Sequence, residues 1–372
     1  MKLTIERAAL IRSLGHVQSI VERRNTIPIL SNVLLTTDSG QLGLTATDMD
    51  IAIVEGVDAT IETSGSTTAP AHTLYDIVRK LPDGAQIELD TGNSADQMTL
   101  RAGRSEFTLQ TLPTEDFPRT DGDELPHQFV LSAAEFRGLI DRTRFAISTE
   151  ETRYYLNGIF MHTTNGDDSE VMRTVATDGH RLARVEMQVP EGAAGMPGII
   201  IPRKTVNEFR KLIDEISDDI SIALSDTSVR FAFGNAVLTS KLIDGTFPDY
   251  ERVIPTGNDK SLNVDCRNFA DAVDRVATIS TEKSRAVKLA AANNNLVLTA
   301  SSPDSGTARE EIEVDYSGAE IEIGFNARYL LDIAQQIEGG EAEFVVADAA
   351  SPTIVRDASD ASALYVLMPM RV

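Results

Sequence analysis

Apolar and polar positions alternate over Lys2–Glu6, and apolar residues then recur every three or four positions at Leu10, Leu14, Val17 and Val21. The first rhythm belongs to a half-buried strand and the second to an amphipathic helix, expected here through about Arg23. The same switch returns at 127–131, followed by Phe136, Leu139, Ile140 and Phe145, and at 261–265, followed by Phe269, Val273, Val276 and Ile279. Ser132 with Glu135 three residues later predicts a capping box. Strand-like runs follow each helix, at 31–37, 41–46 and 51–57, at 157–163, 173–176 and 182–188, and at 286–291, 295–300 and 308–314. Turn signals such as Asp38-Ser39-Gly40 separate them. A second helix is expected in each stretch, over 72–81, 203–216 and 326–337. The pattern predicts an α+β fold, with two helices packed on one face of mostly antiparallel sheets in each copy.

The copies are also visible as words. Leu44-Thr-Ala-Thr-Asp48 returns as Thr174-Val-Ala-Thr-Asp178 and as Leu298-Thr-Ala-Ser-Ser302. Phe107-Thr-Leu-Gln-Thr-Leu-Pro113 has a counterpart beginning at Val237, and a shortened one, Leu364-Tyr-Val-Leu-Met-Pro369, near the end. The steps are 130 and 124 residues in a chain of 372. A period of that size is a whole domain rather than a solenoid repeat. Three domains are expected, over 1–121, 127–251 and 255–372, packed edge to edge into an arc that could close as a ring.

Composition narrows this little, but charge changes the picture. The chain carries 34 Lys and Arg against 57 Asp and Glu, a net charge of −23. Such acidity argues against nucleic acid if the charge is spread evenly. It is not spread evenly. The helical windows 5–24, 71–81, 132–148, 203–216, 267–280 and 326–338 hold 16 basic and 12 acidic residues, leaving 18 basic and 45 acidic residues elsewhere. Basic helices in an acidic protein are either solvated faces or a shared surface turned toward something anionic. No apolar run approaches the length of a membrane span, and no secretory signal is visible at the start. The single cysteine, Cys266, cannot form an internal disulfide and suits a reducing cytoplasm.

Several longer stretches are specific enough to suggest a family. They are Arg153-Tyr-Tyr-Leu-Asn-Gly158, Thr174-Val-Ala-Thr-Asp-Gly-His-Arg-Leu-Ala183, Ile201-Pro-Arg-Lys204, Thr239-Ser-Lys-Leu-Ile-Asp-Gly-Thr-Phe-Pro-Asp-Tyr250, 316–326 and Tyr365-Val-Leu-Met-Pro-Met-Arg371. In these, and over the whole chain, the sequence resembles the bacterial DNA polymerase III subunit beta, the sliding clamp. The resemblance implies a head-to-tail homodimer forming a ring of six domains around duplex DNA. It implies a non-catalytic processivity factor without a cofactor. Its implied partners are the polymerase III alpha subunit, the clamp-loader delta subunit, and other polymerases and repair proteins bound through short linear motifs.

The residues divide into three sets. The resemblance implies a partner-peptide pocket from Arg153, Tyr155, Leu156, Thr177, Gly179, His180, Arg181, Leu182, Pro248, Arg252, Val253, Asn326, Tyr329, Val366, Met368, Pro369, Met370 and Arg371, with Ser284 at the rim where some members carry an aromatic. DNA contact is expected from the helix-borne Arg79, Lys80, Arg137, Arg142, Arg203 and Lys204, and from Arg24, which matches a DNA-contacting loop of the family. Ring closure is expected to bring Arg101, Arg104 and Phe107 of one chain to Glu310, Glu311, Glu313 and Ile279 of another. Sheet edges left open by an arc are liabilities that pairing removes.

Two rivals are carried forward. Asp178 and His180, two residues apart, could be half of a catalytic or metal-binding pair, although no nucleophile elbow, zinc motif or phosphate loop accompanies them. The chain could also be a scaffold of three repeats that binds peptides without forming a ring.

Overall fold

The computed structural model describes residues 1–23, 25–92, 96–119, 124–166, 169–215, 219–280 and 285–371. The first repeat runs β1 (Lys2–Glu6), α1 (Arg7–Ile20), β2 (Asn32–Asp38), β3 (Gln41–Thr47), β4 (Ile51–Asp58), β5 (Thr60–Thr63), β6 (Ser66–Pro70), α2 (Ala71–Lys80), β7 (Gln86–Asp90), β8 (Gln97–Ala102) and β9 (Ser105–Gln110). The second runs β10 (His127–Ser132), α3 (Ala133–Arg144), β11 (Gly158–Asn165), β12 (Glu170–Thr177), β13 (Arg181–Gln188), β14 (Ile199–Pro202), α4 (Arg203–Ile213), β15 (Asp219–Leu224), β16 (Ser228–Phe233) and β17 (Ala236–Lys241). The third runs β18 (Lys260–Asp265), α5 (Cys266–Ala277), β19 (Ala286–Ala292), β20 (Asn295–Ser302), β21 (Gly306–Glu313), β22 (Ile321–Asn326), α6 (Ala327–Ala334), β23 (Glu341–Val346), β24 (Thr353–Asp357) and β25 (Asp360–Leu367).

Local chemistry sets the helix ends. Ser132 and Glu135 form the expected capping box. Glu135 Oε2 accepts the Ser132 N–H at 2.9 Å, and Ser132 Oγ accepts the Glu135 N–H at 3.2 Å. Asp265 and Asn326 cap α5 and α6 by accepting the N–H groups of Asn268 and Arg328. The first helix stops at Ile20, three residues before the expected end. Val21 turns extended, with ψ 120°, and its carbonyl lies 2.9 Å from His72 Nε2 on α2. The last helix ends at Ala334 instead of residue 337. The helices are more basic than the windows drawn from periodicity, with 14 Lys and Arg against 7 Asp and Glu.

Compactness does not follow the repeats. One unit comprises residues 1–135, 190–196 and 204–242, and the other 136–189, 197–203 and 243–372. The sheets explain the division. In the first unit an eight-stranded sheet runs β10-β15-β16-β17-β4-β3-β2-β6, beside a five-stranded sheet β5-β1-β7-β8-β9. In the second an eight-stranded sheet runs β14-β11-β12-β13-β25-β24-β23-β18, beside a four-stranded sheet β21-β20-β19-β22. Strands of the middle repeat complete a sheet in each unit, so hydrogen-bonded continuity outweighs chain order.

The joins are ordinary antiparallel ladders. In the first unit Thr239 of β17 faces Ala52 of β4, and in the second Val366 of β25 faces Leu182 of β13. Within the first unit α1 packs on α2 and on β3 and β4. Within the second α5 packs on α6 and on β19–β21. Leu10, Leu14, Val17, Phe269, Val273 and Val276, the periodic apolar positions, are all buried. Cys266 opens α5, also buried, and burial pushes its thiol up to about 11, well above reactive thiolates.

Candidate functional site

The turn between β12 and β13 is built by its own side chains. Thr177 Oγ1 donates to the Arg181 carbonyl at 2.7 Å, and Asp178 Oδ1 accepts the N–H groups of His180 and Arg181 at 2.9 and 3.0 Å. The Asp178 carboxylate is therefore a turn-former with its other oxygen 3.2 Å from Arg181 Nε. It is not a free base beside a nucleophile, and it does not pair with His180 as a catalytic dyad would. Gly179 sits at φ +88°, and a Cβ there would come within 2.6 Å of Arg153 Nη1. Both features favour glycine here.

Arg181 is the hub. Its side chain is 7% exposed, Nη1 lies 2.5 Å from Asp332 of α6, and Nη2 donates to the Phe145 carbonyl at 2.5 Å. The guanidinium also lies over the Tyr329 ring, 4.3 Å from its centroid. The His180 ring lies 6.5 Å from the Tyr329 ring and 23° from parallel to it. Asn326, as the cap of α6, fixes where Tyr329 emerges.

Backbone bonds tie the last residues to this turn. Met368 N–H donates to the His180 carbonyl at 2.9 Å, and Met370 N–H to the Gly324 carbonyl at 2.7 Å. Beneath lies an apolar cluster of Leu156, Val175, Leu182, Ile200, Phe247, Tyr250 and Val366, with Tyr155 packed against it. Val253, Met368 and Tyr154 stand 50%, 40% and 54% exposed. Large apolar side chains in water beside a buried apolar floor mark a recognition surface. Pro248 and Arg252 are exposed on the segment that carries Val253, while Pro369 and Met370 are half-buried and Arg371 exposed.

The structure thus brings Leu156, Leu182 and Val366 into one floor, and links Arg153, Thr177, Gly179, Arg181, Asn326 and Tyr329 through the turn and α6. Ser284 lies outside the described residues. Sequence reasoning missed Val175, Ile200, Phe247 and Tyr250. The signal for the last two was present, since Phe247-Pro-Asp-Tyr250 puts two aromatics in a segment otherwise reading as loop.

The basic set is uneven. Arg79, Lys80 and Arg203 are exposed, with Arg79 3.0 Å from Asp76. Arg137 is half-buried. Arg142 lies 2.7 Å from Asp360 and donates to Ser362, and Lys204 is held by Asp48 and by Glu22 at 3.0 Å, so both spend charge inside the chain. Arg24 lies outside the described residues. In the edge set, Arg101 donates to Glu106 at 2.7 Å and to Glu88 at 3.1 Å, Arg275 holds Glu310 at 2.5 Å, and Arg309 pairs with Glu311. Arg104 and Glu313 are exposed, and Phe107 and Ile279 half-buried. Among the described residues no group of three or more His, Cys, Asp or Glu could hold a metal ion, and no helix is long and apolar enough to cross a membrane.

Three modules of two helices on antiparallel sheets, joined edge to edge, with an apolar cluster flanked by exposed apolar side chains at one join, are the architecture of a DNA-clamp protein. Family models for the N-terminal, central and C-terminal domains of the DNA polymerase III beta subunit match residues 1–121, 130–249 and 251–371. The chain belongs to this family. It is 56% identical over 372 residues to the beta sliding clamp of Caulobacter vibrioides and 39% over 374 to that of Escherichia coli, each covered completely. Among solved structures, the clamp of Bartonella birtlesii bound to griselimycin matches with 51% identity and a TM-score of 0.97, and that of Caulobacter crescentus with 56% and 0.96, covering both chains entirely. The function is that of a sliding clamp, a processivity factor of DNA replication and an accessory subunit rather than a catalyst.

Proposed function

We propose that the chain works as a head-to-tail homodimer whose six domains encircle duplex DNA in the cytoplasm. One observation carries this reading. The strands β17 and β25, which make the two internal joins, close hairpins equivalent to the one closed by β9, and β4 and β13 are the counterparts of β21. Both β9 and β21 are sheet edges. Each is the one copy of its kind left unpaired, so a second chain completes the set. The internal registers supply a pattern for the external one. Glu55 faces Ala236 and Val185 faces Ala363, which puts Ser105 of one chain opposite Glu310 of the other, Thr108 opposite Thr307, Glu106 opposite Arg309, and Arg104 beside Glu311. Arg104, more than Arg101, is then the cross-chain cation.

DNA contact falls best to the exposed Arg79, Lys80 and Arg203, with Arg137. Arg142 and Lys204, held by carboxylates, contribute less. Such contacts read phosphates without sequence, which leaves the ring free to slide. The recess floored by Leu156, Leu182 and Val366 takes short apolar peptides from the polymerase alpha subunit, the clamp-loader delta subunit and repair proteins, a groove mode of recognition.

The experiment is a paired cysteine substitution, Thr108→Cys with Thr307→Cys. Facing residues of an antiparallel pair lie close enough for a disulfide, and buried Cys266 gives little background. Oxidation should yield covalent dimers that stay on nicked circular DNA and slip from linear DNA. Monomers under oxidation, or dimers lost equally from both DNAs, would overturn the ring.

A further inference from the structure

One buried cation in the second unit belongs to no set above. Arg173 lies mid-strand on β12, with His162 of β11 directly across on one side and Glu186 of β13 on the other. Its side chain is 7% exposed. Nε donates to Glu186 at 2.8 Å, while Nη1 reaches Glu251 at 2.7 Å and the Tyr250 hydroxyl at 3.4 Å. That hydroxyl lies 3.0 Å from His162 Nε2. Tyr250 and Glu251 open a 3-10 turn, Tyr250–Val253, whose last two residues are Arg252 and Val253 of the recess rim. Just upstream, Phe247 stacks on Phe160 with ring centroids 4.9 Å apart.

Burying a guanidinium is costly unless its donors are all taken up, and an apolar residue would pack a sheet more cheaply. What a planar fork adds is geometry, because it holds two separate partners in fixed directions. Here one partner is the neighbouring strand and the other is the segment that crosses it. We infer that Arg173 is a positioning residue of the peptide recess, latching the 250–253 turn so that Val253 and Arg252 stand where a bound peptide meets them. Arg173 touches no peptide itself. This rests on the peptide-binding reading above.

The test is fluorescence polarisation with a labelled peptide of one glutamine and three apolar residues. The variants are Glu251→Ala combined with Tyr250→Phe, then Val253→Ala, then all three. Glu251 is 60% exposed and Arg173 keeps Glu186, so the fold should survive its loss, and thermal melts check that. Unlatching should weaken binding about 3–10-fold, in the range of couplings transmitted through packed networks. In the Val253→Ala background the same unlatching should cost less, because only Arg252 is left for the latch to position. Glu251→Gln, which keeps an acceptor, should restore most of the affinity. Hydrogen exchange at the 250–253 amides should accelerate in the unlatched variant. Unchanged binding, or an equal loss with and without Val253, overturns the latch alone. A parent chain that binds no peptide overturns the recess and the latch with it.

Discussion

The join between β17 and β4 in the first unit and the join between β25 and β13 in the second are the same device with different furniture. The turn entering each is identical in backbone. Thr47 Oγ1 donates to the Ile51 carbonyl and Asp48 Oδ1 accepts the Asp50 and Ile51 N–H groups, as Thr177 and Asp178 do for His180 and Arg181. Met49 takes the left-handed conformation at φ +82°, as Gly179 does at +88°. Yet Ile51 is buried apolar where Arg181 gathers Asp178, Asp332, Phe145 and Tyr329. The helix side differs as well. His16 and Arg142 are each the tenth residue of their helices. Arg142 binds Asp360 and Ser362, whereas His16 lies 2.8 Å from Glu55 and 3.3 Å from Glu215, beside a cavity of about 430 Å³. The longer contact is too poorly aligned for a hydrogen bond but close enough for an ion pair. A repeated backbone thus carries a recess at one join and a titratable clasp at the other, and function resides in the side chains grafted on it.

The largest difference to be measured lies at Arg181. Arg181→Met leaves the Asp178 and Asp332 carboxylates facing each other at the edge of the core. Removing one partner of a buried ion cluster costs about 3–5 kcal/mol. The matched change in the first unit, Ile51→Val, removes one methyl group and costs about 0.5–1.5 kcal/mol. Urea midpoints for both variants check the gap. Equal losses would mean that Arg181 is a spectator and that the two turns are equivalent in energy as well as in backbone.

Next is the recess. His180→Ala with Met370→Ala should cost about 1–3 kcal/mol of peptide affinity, the usual effect of truncating packed anchors. As a control on the matching turn of the first unit, Met49→Ala with Asp50→Ala should leave affinity unchanged. Polarisation assays on both double variants decide it, and a loss from the first-unit pair would move the partner site to that turn.

Much of this was legible in the sequence. The strand-to-helix switches, the capping box and the hairpins follow from local patterning, which is why β19 and the start of β20 were placed to within a residue. The side-chain turn at Thr177-Asp178 was legible only as a word repeated at Thr47-Asp48. Its chemistry, with the carboxylate consumed by its own backbone, emerges only with coordinates. Register across the joins was not readable, because β4 and β17 are far apart in the chain and no local signal fixes which strands become neighbours. Glu55 and Arg173 were missed for one reason. A charged residue in an alternating strand reads as solvent-facing, whereas tertiary partners here bury both.

The two histidines sharpen the contrast by titrating in opposite senses. Burial pulls His16 down, but the Glu55 hydrogen bond and the charges of Glu55 and Glu215 outweigh it and the net shift is upward from 6.5. Burial pushes His162 down from the same value, and the nearby Arg173 charge adds to that. A raised pKa gives stability that is full below about 6.5 and is lost as pH rises through the folded value. A lowered one gives stability that is full above about 6.5 and is lost as pH falls toward the folded value. Melting temperatures from pH 5 to 8 should therefore show His16→Gln closing its gap to the parent as pH rises, and His162→Gln closing it as pH falls. Parallel curves for the two variants would refute the clasp.

The smallest effect concerns the residue the two turns do not share. A side chain in the left-handed region costs about 1–2 kcal/mol, so Met49→Gly relieves strain at φ +82°. Glycine also loses more chain entropy on folding, about 0.5–1 kcal/mol relative to alanine. The two nearly cancel, and Met49→Gly should move stability by about 0.5 kcal/mol, toward greater stability. The reverse change is not symmetrical. Gly179→Ala meets the same backbone cost, only partly offset by the entropy glycine no longer loses, and its Cβ must also displace the Arg153 guanidinium, which donates to the Asp178 carbonyl at 3.2 Å. It should therefore destabilise the turn and weaken peptide binding together, while Met49→Gly leaves peptide binding alone. Denaturant midpoints and polarisation on the two single variants test this. If Gly179→Ala proved as mild as Met49→Gly, the close approach of Arg153 would not be what selects glycine at the recess.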